Sequence, residues 1–210
     1  MKALRVVLVL LCCSLIFPAA APAQDGNAEM EAWIKAATPG AAHAELAAME
    51  GMWTYTSKMW MDPTADPMES RGTSKKHMLL GGRFLAEESD GNMMGMAFNG
   101  MGITGYNNVT NQYEAYWIDS MGTGMTLLKG PKSGNKITMT GEYADPSGMT
   151  MKIQAVTTLT DADHYTFEYM VDMGGTFTKV MELNYTRGAG KGAKPEKAAK
   201  EKKEDTGGGW

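Results

Sequence analysis

From Gly51 to Arg187 the chain repeats one pattern: a short stretch of alternating apolar and polar side chains, then a tight turn rich in Gly, Asn, Asp, Ser or Pro. Alternation with a period of two belongs to strands that bury one face, and regular short strands with turn signals belong to all-β sandwiches and barrels. The pattern predicts strands at 52–61, 70–80 and 83–88, two short ones within the Gly-rich 95–106, and others at 112–119, 123–129, 136–143, 149–160, 164–173 and 176–187. The predicted turns include Gly81-Gly82, Asp90-Gly91-Asn92, Asn107-Asn108, Ser133-Gly134-Asn135, Asp145-Pro146-Ser147-Gly148, Asp161-Ala162-Asp163 and Gly174-Gly175. No helix-length segment interrupts the series after residue 50, so parallel strands with helical crossovers are excluded. A meander of consecutive hairpins closes most readily into an up-and-down barrel, which also removes exposed strand edges. The predicted fold class is therefore all-β, an antiparallel up-and-down barrel of about ten strands.

Two short helices are expected before the barrel, at 27–37 and 41–50. Met30, Trp33 and Ile34 sit at helical spacing, as do Leu46 and Met49, and Pro39 separates the two segments. Within the barrel, alternation predicts inward faces of Met149, Met151, Ile153, Ala155, Thr157 and Leu159, of Tyr165, Phe167, Tyr169 and Val171, and of Phe177, Lys179, Met181, Leu183, Tyr185 and Arg187. A barrel of about eight or more strands can hold one small ligand. The side chains expected to line such a cavity are Met101, Ile103, Tyr113, Trp117, Met151, Ile153, Phe167 and Tyr169. Met and aromatic linings are apolar and adaptable, which points to a small apolar or amphipathic ligand.

The first residues read as a secretory leader. Lys2 and Arg5 precede an apolar run from Val6 to Phe17, and Ala21-Pro22-Ala23 supplies small residues for cleavage before Gln24. The run is shorter than the roughly 20 apolar residues of a membrane anchor. Export of the chain, to a periplasm or the medium, with no transmembrane anchor after cleavage, is the expectation. Both cysteines, Cys12 and Cys13, lie in the leader, so the mature chain has no disulfide, thiol nucleophile or zinc–thiolate site. Four segments follow: leader 1–23, helical lead-in 24–40, barrel 41–187 and a Lys-rich tail 188–210. Residues 24–187 carry 20 acidic and 12 basic side chains, net −8, which argues against nucleic acid as a partner. The tail has six Lys and four acids with few apolar residues apart from its terminal Trp210, a composition of disorder.

Gly51-Met52-Trp53 opens the first strand and Arg187 closes the last. First and last strands are neighbours in a closed barrel, so the guanidinium can stack on the indole. This pairing resembles the Gly-x-Trp and terminal-strand Arg signature of lipocalin-like, or calycin, barrels, where its role is structural. Further blocks are His43-Ala44-Glu45-Leu46, Leu80-Gly81-Gly82-Arg83-Phe84-Leu85, the run from Phe98 to Asn108, Tyr116-Trp117-Ile118-Asp119 and Met181 to Arg187. Together they resemble the bacterial family known as domain of unknown function 1579, over roughly residues 40–187. The family carries no established activity. The resemblance implies a calycin-like barrel and leaves the function open. The high Met content and the Lys-rich tail depart from the family pattern.

Twenty residues are Met, and Met93, Met94, Met96 and Met101 cluster in a Gly-rich stretch, with His77-Met78 upstream. Thioethers are soft ligands suited to Cu(I), so His77 with these four Met forms an alternative metal set; the other reading of the Met is filling a core or a ligand cavity. Haem is a second alternative, with His77 as the one serviceable axial ligand, on a fold-level analogy. No organic cofactor is otherwise expected. His43, His77 and His164 share no metal-ligand spacing. Glu87 and Glu88 are adjacent and face opposite ways on a strand, so they form no acid–base couple. Asp119 is expected either to orient a ligand or to pair with Arg83. There is no Gly-x-Ser-x-Gly elbow, and the glycines of 95–105 lack the Lys of a phosphate loop. Three readings lead: a non-catalytic barrel binding a small apolar molecule, a Met-rich copper carrier, and a filled barrel acting through its surface or tail; a hydrolase or isomerase is left open, with no residues to name for it.

Overall fold

The computed structural model describes residues 26–188; the expected leader and most of the Lys-rich tail lie outside the described residues. Two short helices, α1 (Gly26–Ala37) and α2 (Ala41–Ala47), lead into β1 (Gly51–Met59), β2 (Met68–Leu79), β3 (Phe84–Met93), β4 (Met96–Asn107), β5 (Gln112–Asp119) and β6 (Thr126–Gly130). A two-residue β7 (Lys132–Ser133) precedes β8 (Lys136–Ala144), β9 (Thr150–Leu159), β10 (His164–Asp172) and β11 (Phe177–Arg187). From β1 to β6 and from β7 to β11 each strand pairs antiparallel with the next in sequence, β11 returns to β1, and β6 pairs with β8 to complete the ring. The molecule is an antiparallel up-and-down β-barrel of ten strands, with β7 as a stub beside β8.

Three strands depart from the sequence pattern. Asp90-Gly91-Asn92, expected as a turn, lies within β3, and the hairpin turn is Met94-Gly95, at φ 53° and 79°. Glycine is needed at 91 for space: a Cβ there would stand 2.5 Å from the Tyr55 hydroxyl, and one at Gly72 on the neighbouring strand 2.2 Å from the same ring. The two short strands expected in 95–106 are one continuous β4, because the Trp117 ring lies against Gly100 and Gly102 and covers the gap their missing side chains leave. In β11 the alternation slips. The register of β10 against β11 shifts after Tyr169, with Met181 opposite Tyr169 but Lys179 opposite Met170. This bulge at Val180 turns Lys179 and Phe177 to the outer face. There Lys179 bridges Glu168 at 3.1 Å and pairs with Glu182.

The barrel has two unlike ends. At one, α2 lies across the opening with Leu46 and His43 buried. The chain turns into this helix through Gly40, whose amide donates to His43 Nδ1 at 3.0 Å. Glu45 then accepts from Tyr113 Oη at 2.8 Å and from Lys132 Nζ at 2.7 Å. These bonds hold its carboxyl below the usual carboxylate range, with Lys132 the largest cause. The Arg187 guanidinium lies 4.2 Å over the Trp53 ring and donates to the carbonyls of Ala48, Glu50 and Ala162. Trp53 Nε1 donates to Met49 O at 2.9 Å, so the indole is held from both sides. The other end, formed by the β1–β2, β3–β4, β5–β6, β8–β9 and β10–β11 connections, carries no helix.

Candidate functional site

Between these ends the lumen is filled in two halves. On one side Leu85, Tyr113, Leu128, Ile137, Met139, Ile153, Ala155 and Val171 pack with Leu46 from α2. On the other, Trp53, Tyr55, Tyr165 and Tyr185 form an aromatic cluster. Tyr165 and Tyr185 stack at 4.3 Å, and Trp53 meets Tyr165 edge-on at 4.9 Å.

A charged pair is enclosed beside these rings. Alternation on β2 and β3 points Ser74, Lys76, Glu87 and Ser89 inward. Lys76 Nζ bonds Glu87 Oε2 at 2.9 Å with only 5 % of its side chain exposed, and it lies 4.9 Å from the Tyr165 ring centre. Glu87 Oε1 accepts from Ser74 Oγ at 2.7 Å and from Tyr185 Oη at 3.3 Å. Burial pushes the Glu87 carboxyl up, but Lys76, Ser74 and Tyr185 together outweigh it and hold the group below the usual carboxylate range. Tyr185 goes the other way: burial first, then the Glu87 charge, raise it well above an ordinary phenol, so it stays a neutral donor. Tyr55 roofs this network on the open side. Its hydroxyl meets Ser89 Oγ at 3.3 Å, and its ring occupies the space left by Gly72 and Gly91.

Above Tyr55 the lumen opens into a mouth of about 340 Å³ between the ends of β1, β2 and β3. Its walls are Ser57, Met59, Met68, Glu69, Ser70, Asn92, Met93, Met94 and Gly95. Met59 and Met68 face each other in register on β1 and β2, and Met93 closes β3 on the same inner face. Methionines gather all around this end: Met61 beyond β1, Met96 opening β4, Met121 and Met125 between β5 and β6, Met149 before β9 and Met173 after β10, all substantially exposed. A smaller cleft of about 160 Å³ lies under α2 at the opposite end, among Trp53, Lys132, Tyr165 and Arg187.

The residues expected to line a cavity separate into two groups. Met101 and Ile103 are on the outer face of β4, 48 % and 38 % exposed, because Phe98, Gly100 and Gly102 take the inward positions. Tyr113, Ile153, Met151, Phe167 and Tyr169 do point inward, but they pack into the core. Trp117 is also internal, stacked on Phe98 at 6.5 Å and donating to Asp119 at 2.9 Å. Asp119 thus lies at the open end, while Arg83 sits in the β2–β3 turn at the α2 end and donates to Leu80 O at 3.0 Å, so the two do not pair. Gly51, at φ 120°, packs against the Arg187 guanidinium. Of the metal set, Met93, Met94 and Met96 share the β3–β4 hairpin, with Met93 and Met96 as cross-strand partners, while Met101 lies on the outer face of β4. His77 sits apart from them, opposite Ala86 near the α2 end and on the outer face. Among the described residues no three His, Cys, Asp or Glu side chains gather as a metal site.

Sequence reasoning missed the Lys76–Glu87 pair and the Met59–Met68–Met93 convergence. The first was readable in part: Lys76 and Glu87 are both inward by alternation once Gly81-Gly82 is the hairpin turn. The second needed the register of β1 on β2, which the long 60–67 connection conceals.

In comparison with known proteins, the chain matches none of the curated proteins. Among solved structures it is similar to a redesigned β-barrel, at 15 % identity over 68 % of this chain and 94 % of that one, with a TM-score of 0.37. It is also similar to Rv2717c from M. tuberculosis, at 14 % identity over 72 % of this chain and 99 % of that one, with a TM-score of 0.49. The model of the family described as protein of unknown function (DUF1579) matches residues 38–187, from the turn before α2 to the last residue of β11. The match spans the helical cap, the whole barrel and the Trp53–Arg187 closure, and the chain belongs to the DUF1579 family.

Proposed function

We propose that this chain is an exported, non-catalytic binding module whose ligand seat is the mouth at the open end of the barrel, and that the ligand is a small apolar or amphipathic molecule. The observation that carries this reading is the mouth itself: about 340 Å³ of space walled by Met59, Met68, Met93 and Met94, with Ser57, Glu69, Ser70 and Asn92 as polar contacts. Ligand sites of this kind are concave and mostly apolar, with a few polar groups that fix orientation. The filled lumen below Tyr55 supports a shallow seat that holds one end of a ligand. Met side chains suit the task, since they adapt to different apolar shapes.

The test is titration of residues 24–210 with an environment-sensitive fluorescent fatty-acid analogue, beside native mass spectrometry of protein taken from its export compartment. Ser70→Trp places an indole in the mouth and is expected to abolish uptake of the probe. Met101→Trp, on the outer face, is expected to leave uptake unchanged. No uptake by the unmodified chain, or equal uptake by Ser70→Trp with its fold intact by circular dichroism, would defeat the proposal.

A further inference from the structure

We infer that Met59, Met68 and Met93 form a three-thioether seat for a soft monovalent cation, Cu(I) or Ag(I). The inference rests on the mouth being the ligand seat and names a second class of ligand for it. Met59 and Met68 are direct cross-strand partners, and such partners stand roughly 4.5–5.5 Å apart at Cβ. Both turn to the inner face, where Met93 of the third strand joins them along one wall, with Met94 at the lip. Three long, flexible thioethers rooted on three adjacent strands can converge on a single ion without backbone movement.

The chemistry selects the ion. A thioether sulfur is neutral, soft and not protonated near neutrality. It binds Cu(I) and Ag(I), and it leaves hard cations such as Ca²⁺ or Mg²⁺ in water. The mouth carries a single carboxylate, Glu69, and no cluster of three His, Cys, Asp or Glu occurs among the described residues, so hard cations lack a ligand set there. Filling of a core does not account for these side chains either. Met68 is 42 % exposed and Met59 and Met93 are half-buried, whereas Met139, which does fill the core, is 6 % exposed. The acidic barrel, net −8 over residues 24–187, favours approach of a cation.

The test is anaerobic competition of residues 24–210 for Cu(I) against bicinchoninate, with Ag(I) as the redox-inert probe in native mass spectrometry. One ion per chain is expected, with affinity flat from about pH 5 to 8 because no ligand proton is displaced. The triple variant M59L/M68L/M93L keeps the apolar surface and removes the sulfurs. It is expected to lose the ion while still taking up the fatty-acid probe, and the single variant M68L serves if the triple variant does not fold. The pair M121L/M125L, at the same end but outside the mouth, is expected to bind the ion as the unmodified chain does. Uptake of the probe without uptake of Cu(I) or Ag(I) would overturn the soft-ion seat and leave the mouth reading standing. Ion binding that survives M59L/M68L/M93L would place the ion elsewhere and overturn the assignment. Failure of both probe and ion would remove both readings.

Discussion

At the scale of single residues the barrel encloses a charged pair that its fold does not require. Lys76 is almost entirely withdrawn from water and Glu87 mostly so, and a buried ion pair is costly unless every charge is matched by further bonds. Here Ser74 and Tyr185 complete the carboxylate, and two tyrosine rings lie against the ammonium. Removing one partner strands the other, so Lys76→Met alone is expected to cost about 3–5 kcal/mol. The double variant K76M/E87Q is expected to cost less than that single change, since Gln still accepts from Ser74 and Tyr185 and no charge is left behind. Urea unfolding of the three proteins measures this, and a double variant worse than Lys76→Met would refute it. The pair also sets a pH dependence. Glu87 is held below its unfolded value, so its contribution is complete above the ordinary Glu range, about pH 4.3, and is lost as pH falls through the lower folded value. Glu45 and Glu182 are lowered as well, so the whole protein loses stability on acidification. The unmodified chain is expected to lose more between about pH 5 and 3 than K76M/E87Q does. Parallel pH profiles for the two would show that the buried carboxylate is not linked to folding.

At the scale of elements, the backbone ladder that closes β11 on β1 is tied to both neighbouring connections by one side chain. Arg187 reaches the α2–β1 connection through the carbonyls of Ala48 and Glu50, and the β9–β10 turn through Ala162 and Asp163. Lys has neither the planar fork nor the reach to serve both sides, and it stacks less well on Trp53. Arg187→Lys is expected to destabilise the barrel by about 1.5–3 kcal/mol with an unchanged urea slope. A change within about 0.5 kcal/mol would mean that the closure does not depend on the guanidinium. This element was legible in the sequence, because Gly51, Trp53 and Arg187 sit at fixed ends of the first and last strands. The strand count and the inward faces of β9 and β10 were legible for the same reason: alternation reports burial directly. What escaped the sequence depends on contacts between strands. Gly91 reads as a turn residue until the Tyr55 ring is seen to need its space. Lys179 reads as inward until the bulge at Val180 reverses the face. Met101 and Ile103 read as lining because alternation gives two faces without saying which is inside, and in β4 the inward face is the glycine-rich one.

At the scale of the whole molecule, packing and polar closure are concentrated away from the mouth. The α2 end is joined by Glu45, Tyr113, Lys132, Trp53 and Arg187, and the middle is filled by the Tyr stack and the buried pair. The open end has the long 60–67 connection, the left-handed Met94-Gly95 and Gly174-Gly175 corners, and exposed Met. Local opening follows such differences in buried contact, with the least protected segments those that change when a ligand binds. Hydrogen exchange is therefore expected to divide the barrel across its axis, so that single strands are slow at one end and fast at the other. The amides of Tyr55, Ser74, Glu87 and Tyr185 should exchange only through global unfolding, with rates that rise with denaturant. Those of Met93 to Met96 and Met173 to Thr176 should exchange through local fluctuation, insensitive to low denaturant. Ligand at the mouth, whether the fatty-acid probe or Ag(I), should slow the Met93–Met96 set more than the Ser147–Gly148 turn between β8 and β9, which lies across the barrel from β1, β2 and β3. Uniform protection along β3 would contradict the division of the barrel. Protection spread equally over all the open-end turns would place the ligand across the whole rim instead of in the mouth between β1, β2 and β3.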